Sequence, residues 1–124
     1  MGKVHKVQAY YTEDIGKKPN AVLSRHFIHS KYSGGLWAEV RDLSQKEILA
    51  AGAAEKQYSL YITIGYNPKV IQRWEELILL DEQGNTYKIK TKPDEFNYGR
   101  GDIRIAAYAF TDNLVYTGAD TYDN

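Results

Sequence analysis

Hydrophobic and polar positions alternate along much of this chain. In "QYSLYITIGY", Tyr58, Leu60, Ile62, Ile64 and Tyr66 take turns with Gln57, Ser59, Tyr61, Thr63 and Gly65. A repeat of two sends one set to a core and the other to a wetter face, so the segment predicts a strand. "IRIAAYAF" predicts another, with Ile103, Ile105, Ala107 and Ala109 on one side. "TYKIKTK" also alternates, and "DEQGNTY" before it predicts a hairpin because Gly84 and Asn85 tolerate positive φ. Val4 to Tyr11 and Leu36 to Leu43 have strand-like content, while Val22 to Ile28 is short, apolar and ambiguous. "NPK" predicts a turn. Trp74 to Leu80 reads as a strand, although Ile71, Trp74, Leu77 and Ile78 also fit one face of a helix. "PDEFNYGRGD" predicts a long turn, and the polar tail carries a short strand at Leu114 to Tyr116.

One segment departs from the pattern. Ser44 and Glu47 form an S-x-x-E capping box, in which the serine caps an amide three residues on and the glutamate reaches back. Ile48, Leu49, Ala50, Ala51, Ala53 and Ala54 favour a helix, and Gly52 weakens its middle. Two or three turns of this kind are marginal alone and need a surface to pack on. The whole therefore predicts a mainly β fold: a small β-barrel or sandwich of about six strands, with one short helical or flexible insertion between strands.

At 124 residues the chain predicts a single domain, 1–124. Hydrophobic residues make up 43%, close to ordinary globular usage, and no stretch approaches the length of a membrane span. The polar start, "MGKVHKVQAYY", lacks a signal-peptide core, and Lys6 stands where myristoylation wants Ser or Thr. Synthesis and retention in a cytoplasm are the expectation. Without cysteine, thiolate chemistry and cysteine zinc sites are excluded.

Formal charge is zero, from 16 basic and 16 acidic residues, whereas nucleic-acid binders usually carry a basic excess. The charge is uneven, however. A basic arm (about 1–31) holds Lys3, Lys6, Lys17, Lys18, Arg25 and Lys31, and an acidic tail (about 111–124) holds Asp112, Asp120 and Asp123 with Tyr116 and Tyr122. Ends of opposite sign suit a protein that meets different partners at different faces, or copies of itself. They also suit two merely solvated termini. The 11 tyrosines fit half-buried strands and assembly surfaces equally well.

Candidate chemistry is sparse. His26 and His29 in "RHFIH" point to opposite faces of a strand, and no carboxylate motif completes a metal site. "YGRGD" lacks the strand–glycine–helix context and the lysine of a phosphate loop. Glu75 and Glu76, as adjacent strand residues, would face opposite ways. No nucleophile, base and orienting group assemble, so no catalytic residue, cofactor or metal ligand is assigned and a non-enzyme is expected. Tyr61, Tyr87 and Tyr108 would have to be exposed for an oligonucleotide-binding barrel, which stays a minority alternative.

"LWAEVRDLSQKEILAA", "YITIGYNP", a Trp-containing apolar strand, "GNTYKIKTKPDE" and "RIAAYAF" follow one another in an order and spacing that resembles the head–tail joining proteins of tailed bacteriophages. These are also called head-closure, head-completion or stopper proteins. The resemblance spans Leu36 to Phe110. Gly65 departs from it, since relatives often carry a basic residue there, as do the longer N-terminal arm and the acidic tail. The resemblance implies a virion neck protein made in a bacterial host. It implies a homo-oligomeric ring, six- or twelvefold, that contacts a portal adaptor and a tail terminator or tail tube. It also implies double-stranded DNA in the lumen, held without sequence specificity, and no membrane. Asp42 to Gln57 would then be the gating or neighbour-contacting element, through Asp42, Ser44, Gln45, Lys46, Glu47, Ile48, Leu49, Glu55 and Lys56. The alternative is a helix that only caps one end of the barrel. Docking would fall to Lys3, Lys6, Lys17, Lys18, Asp112, Tyr116, Asp120 and Tyr122. A tail terminator or another neck component is the nearest rival.

Overall fold

The computed structural model describes residues 3–42, 59–96 and 101–123. Nine strands, one short α-helix and one 3-10 turn (Lys31–Ser33) occur among them: β1 (His5–Asp14), β2 (Leu23–Phe27), β3 (Leu36–Asp42), β4 (Ser59–Gly65), α1 (Pro68–Arg73), β5 (Ile78–Leu80), β6 (Thr86–Ile89), β7 (Asp94–Phe96), β8 (Asp102–Ala109) and β9 (Thr121–Tyr122). Six strands run in the order β3-β4-β8-β6-β5-β1, and pairing of β1 with β3 closes them into a barrel. The mainly β single-domain expectation holds, and the choice between barrel and sandwich falls to the barrel.

The alternating segments build its interior. Leu60, Ile62 and Ile64 of β4 and Ile103, Ile105 and Ala107 of β8 are buried, with the two strands in antiparallel register at Ile62 and Ile105. Val7, Ala9, Ala38, Leu79, Tyr87 and Ile89 complete this core from the other strands. Ala9 of β1 and Ala38 of β3 bring small side chains to a core whose larger ones include those of β4 and β8, the mixture of sizes that fills a narrow barrel. Tyr66 leaves the alternation: β4 stops at Gly65, and Tyr66 is 53% exposed.

Two expectations are corrected here. The "NPK" stretch starts a helix. The Asn67 side chain caps the Lys69 amide at 3.0 Å, and Pro68 occupies the first turn, where its missing N–H costs nothing. Trp74 therefore ends a helix, and only Ile78–Leu80 of the expected Trp74–Leu80 strand is extended. Val70 and Leu77 are buried in the barrel core, with Ile71 and Trp74 packed against it, so α1 and the turn after it cover the end where β4 finishes. The "PDEFNYGRGD" turn also contains β7, paired with the first residues of β8.

β1 is longer than its place in the barrel requires. Its first half pairs with β3 and β5, and from Tyr10 to Asp14 it pairs with β2. These two strands form a hairpin whose tip carries Lys17 and Lys18. The tail adds β9 to the open edge of β2 in parallel, matching His26 with Thr121 and Phe27 with Tyr122. The short strand expected at Leu114 to Tyr116 does not form; the tail's strand lies further on.

Candidate functional site

The acidic tail and the basic arm meet each other. Arg25 donates from Nε and Nη2 to the two carboxylate oxygens of Asp120, at 3.1 and 3.0 Å. Such a fork fixes geometry as well as charge. The same guanidinium lies 5.4 Å from the ring centres of Tyr10 and Phe27 and 5.7 Å from Tyr116. One residue on, His26 Nε2 donates to Asp123 at 2.7 Å, while Nδ1 sits 2.7 Å from the Thr121 hydroxyl. Lys69, from α1, pairs with the other Asp123 oxygen. Burial works against the Asp123 carboxylate, but Lys69 and His26 outweigh it and hold its pKa below the ordinary value.

Asp112 gathers a second group. It accepts from the Tyr10 hydroxyl at 2.8 Å and the Tyr116 hydroxyl at 2.6 Å. With its proton directed at Asp112, Tyr116 is left to accept from Thr12 Oγ1 at 3.1 Å. Burial again opposes the Asp112 charge, and the two phenols, the Leu114 amide and Arg25 lower its pKa overall. Burial, with Asp112 adding to it, raises Tyr10 and Tyr116 above the usual phenol value. Beneath these polar contacts, Tyr10, Phe27 and Ile78 are buried outside the barrel, covered by Phe110, Tyr116 and Tyr122. Tyr122 stacks on Phe27 at 5.1 Å and 15°.

The seam is not fully satisfied. Ser24 Oγ and His29 Nε2 are buried without a hydrogen-bond partner among the described residues. His29 Nδ1 donates to the Ser30 carbonyl, its ring centre lies 6.0 Å from that of Tyr122, and Ser24 lies directly under Gly118.

The remaining docking candidates lie elsewhere. Lys3 pairs with Asp102 at 2.8 Å. Lys6 donates to the Ser33 carbonyl at 2.6 Å and sits 4.3 Å over the Trp37 ring. Lys17 and Lys18 are exposed at the hairpin tip. Of the gating candidates, Asp42 closes β3, while Ser44, Gln45, Lys46, Glu47, Ile48, Leu49, Glu55 and Lys56 lie outside the described residues. The strands flanking them end beside a cavity of about 190 Å³ lined by Val7, Val40, Leu60 and Tyr87, with His5 and Glu82 paired at its rim. Tyr87, one of the three tyrosines an oligonucleotide surface would need, is buried and donates to Asp81 at 2.9 Å. Tyr61 lies on the outer face between the guanidiniums of Arg41 and Arg104.

Arg25, His26, Tyr10 and Lys69, which hold the tail, were not singled out as site residues by the sequence pattern. The opposite charge of the two ends is the one signal in the sequence that touches this group, and it reaches Arg25 alone.

The described residues form a closed barrel with a projecting hairpin that the tail clasps. The family model described as phage head completion protein matches residues 33–107, from just before β3 into β8. This is well over half of the sequence, and the chain belongs to the phage head completion protein family, a family of structural virion proteins. Among solved structures, protein SF1141 from Shigella flexneri 2a, determined in solution, is similar to it. The TM-score is 0.65 at 16% identity, over 87% of this chain and 93% of that one, and at this identity the likeness speaks to the fold alone. No curated protein matches the chain.

Proposed function

We propose that the protein is a head-closure, or stopper, subunit. Copies form a ring between the portal adaptor and the tail, retain packaged DNA and present the platform on which the tail docks. The observation that carries this reading is the family match, which takes in β3, β4, β5, β6 and most of β8 together with the β3–β4 connection. The filled interior supports it further. Side chains occupy the barrel centre, so a passage for DNA has to lie between copies and not through one. β3 ends and β4 begins at one end of the barrel, where Asp42 pairs with Leu60, and in a ring the connection between them would face the lumen or a neighbour. Zero net charge suits a channel that DNA must leave freely, because each phosphate contact adds salt-dependent retention.

The test is a virion preparation whose gene for this chain carries an early stop, read by electron microscopy and nuclease protection. Tail-less heads that lose their DNA, beside normal free tails, are the expected result. Stable full heads beside overlong tails would make it a terminator instead. Unchanged particles would remove it from the neck.

A further inference from the structure

We infer that the groove formed by the edge of β2 with Tyr10, Phe27 and Ile78 is a docking surface between copies, and that its occupant in the assembled ring is the tail of the neighbouring copy. This inference rests on the ring reading above and names the contact that would build the ring.

The structure already shows what the groove accepts: a parallel strand whose aspartates meet Arg25, His26 and Lys69 and whose Tyr122 stacks on Phe27. The occupant is therefore fixed by charge and shape, and a second copy supplies the same segment unchanged. The tail is built to travel. Between Phe110 and Gly118 it forms no strand or helix and is held to its own hairpin through side chains, Asp112 on Tyr10 and Tyr116 on Thr12, while Leu114 and Val115 are exposed. Residues 111–117 can extend about 23 Å at roughly 3.3 Å per residue, enough to cross to an adjoining barrel.

Main-chain attachment is thin. It consists of the short β2–β9 pairing, the Gly118 amide on the Leu23 carbonyl and the Asp123 amide on the Phe27 carbonyl. The unpartnered Ser24 Oγ and His29 Nε2 lie under the tail and oppose its binding. Simple release would expose the aromatic groove to water, whereas exchange keeps every groove covered. Exchange of an identical element is a low-cost route to oligomers, and a head-to-tail exchange is heterologous, the kind of contact that closes a ring. Dilution favours the chain's own tail, and crowding of copies around a portal favours the neighbour's.

The chain has no cysteine, so a single engineered pair gives a clean readout. A Cβ on Gly118 would stand 3.0 Å from that of Ser24, about half an ångström closer than a disulfide needs, so the tail has to shift outward slightly, away also from Ile15 Cδ1 at 3.1 Å. The double variant Ser24→Cys/Gly118→Cys is oxidised in dilute solution and, separately, after addition to filled heads lacking the chain. Monomers in the first case and a covalent ladder of multimers in the second are expected. Monomers in both, with a ring present on the heads, would overturn the exchange and leave the ring standing. If the wild-type chain forms no ring on those heads, both readings fall.

A second experiment needs no cysteine at the seam. Arg25→Asp and Asp120→Arg each place like charges across the seam of a single chain. In an exchanged ring of alternating variants, every groove regains an opposite partner. Each variant alone should fail to restore the heads, and an equal mixture should restore them. Failure of the mixture, or full assembly by either variant alone, would overturn the proposal.

Discussion

The barrel interior and the tail seam are both buried, yet they are held in different ways. The barrel core is mainly aliphatic and enclosed by strands whose main-chain bonds close on themselves. The seam is aromatic and ionic, rests on few main-chain bonds, and leaves two polar atoms unpartnered. Burial of apolar area is not titrated by pH or weakened by ionic screening, whereas ion pairs and phenol–carboxylate bonds respond to pH, and ion pairs to screening as well. One part of the molecule therefore defines the fold, and the other is a contact whose strength conditions can set.

The sharpest way to break this contrast is in the barrel. Ile105→Ala removes a buried side chain at the centre of β8 and should cost about 2–5 kcal/mol of global stability, read as a lower urea midpoint. Hydrogen exchange should quicken in β4, β6 and β8 alike. Arg25→Ala should cost less, about 1–3 kcal/mol, and the part-exposed guanidinium keeps the loss toward the lower figure. Its effect should be local, with amide protection falling at Gly118, Asp123 and β2 while β4 and β8 stay protected. Equal loss in both regions would show that the two are one cooperative unit.

Acidity sharpens the comparison further. Asp112 and Asp123 have lowered pKa values in the folded chain. Their contribution is complete above the ordinary carboxylate value of about 3.9 and fades as pH falls through their lower folded values. Tyr10 and Tyr116 are raised, so their contribution is complete below the ordinary phenol value of about 10 and fades as pH climbs through their folded values. The Gly118 protection factor should hold between these limits and drop outside them before β8 changes. Asp112→Asn should weaken the acid-side response.

The smallest effect expected is a gain. Gly65 closes a core strand without a left-handed backbone, and a Cβ there meets nothing within 4 Å. Gly65→Ala should stabilise the isolated chain by about 0.4–1 kcal/mol, mainly by restricting the unfolded state. The urea midpoint checks it.

The barrel was legible because its determinants are local. Ile62 and Ile105 announce their strands through neighbours two residues away, and Gly84-Asn85 announces its hairpin. α1 was missed because Asn67-Pro68 serves a turn and a helix start equally well, and only packing of Val70 into the core decides between them. β9 was missed because a strand of two residues has no period to read. Its partners, Arg25 and His26, lie 95 or more residues away, a separation at which only the charge imbalance left a trace.

β1 has a mechanical consequence. It is one unbroken strand, held by the barrel over its first half and projecting with β2 over its second. The stretch from Tyr10 to Asp14 is a lever arm of about 14 Å at roughly 3.4 Å per residue. Force applied at the Lys17–Lys18 tip becomes torque on the His5–Val7 pairing with β3, the strand that leads to Asp42. A load that tilts the hairpin is thereby carried along β3 to its end at Asp42, far from where it was applied.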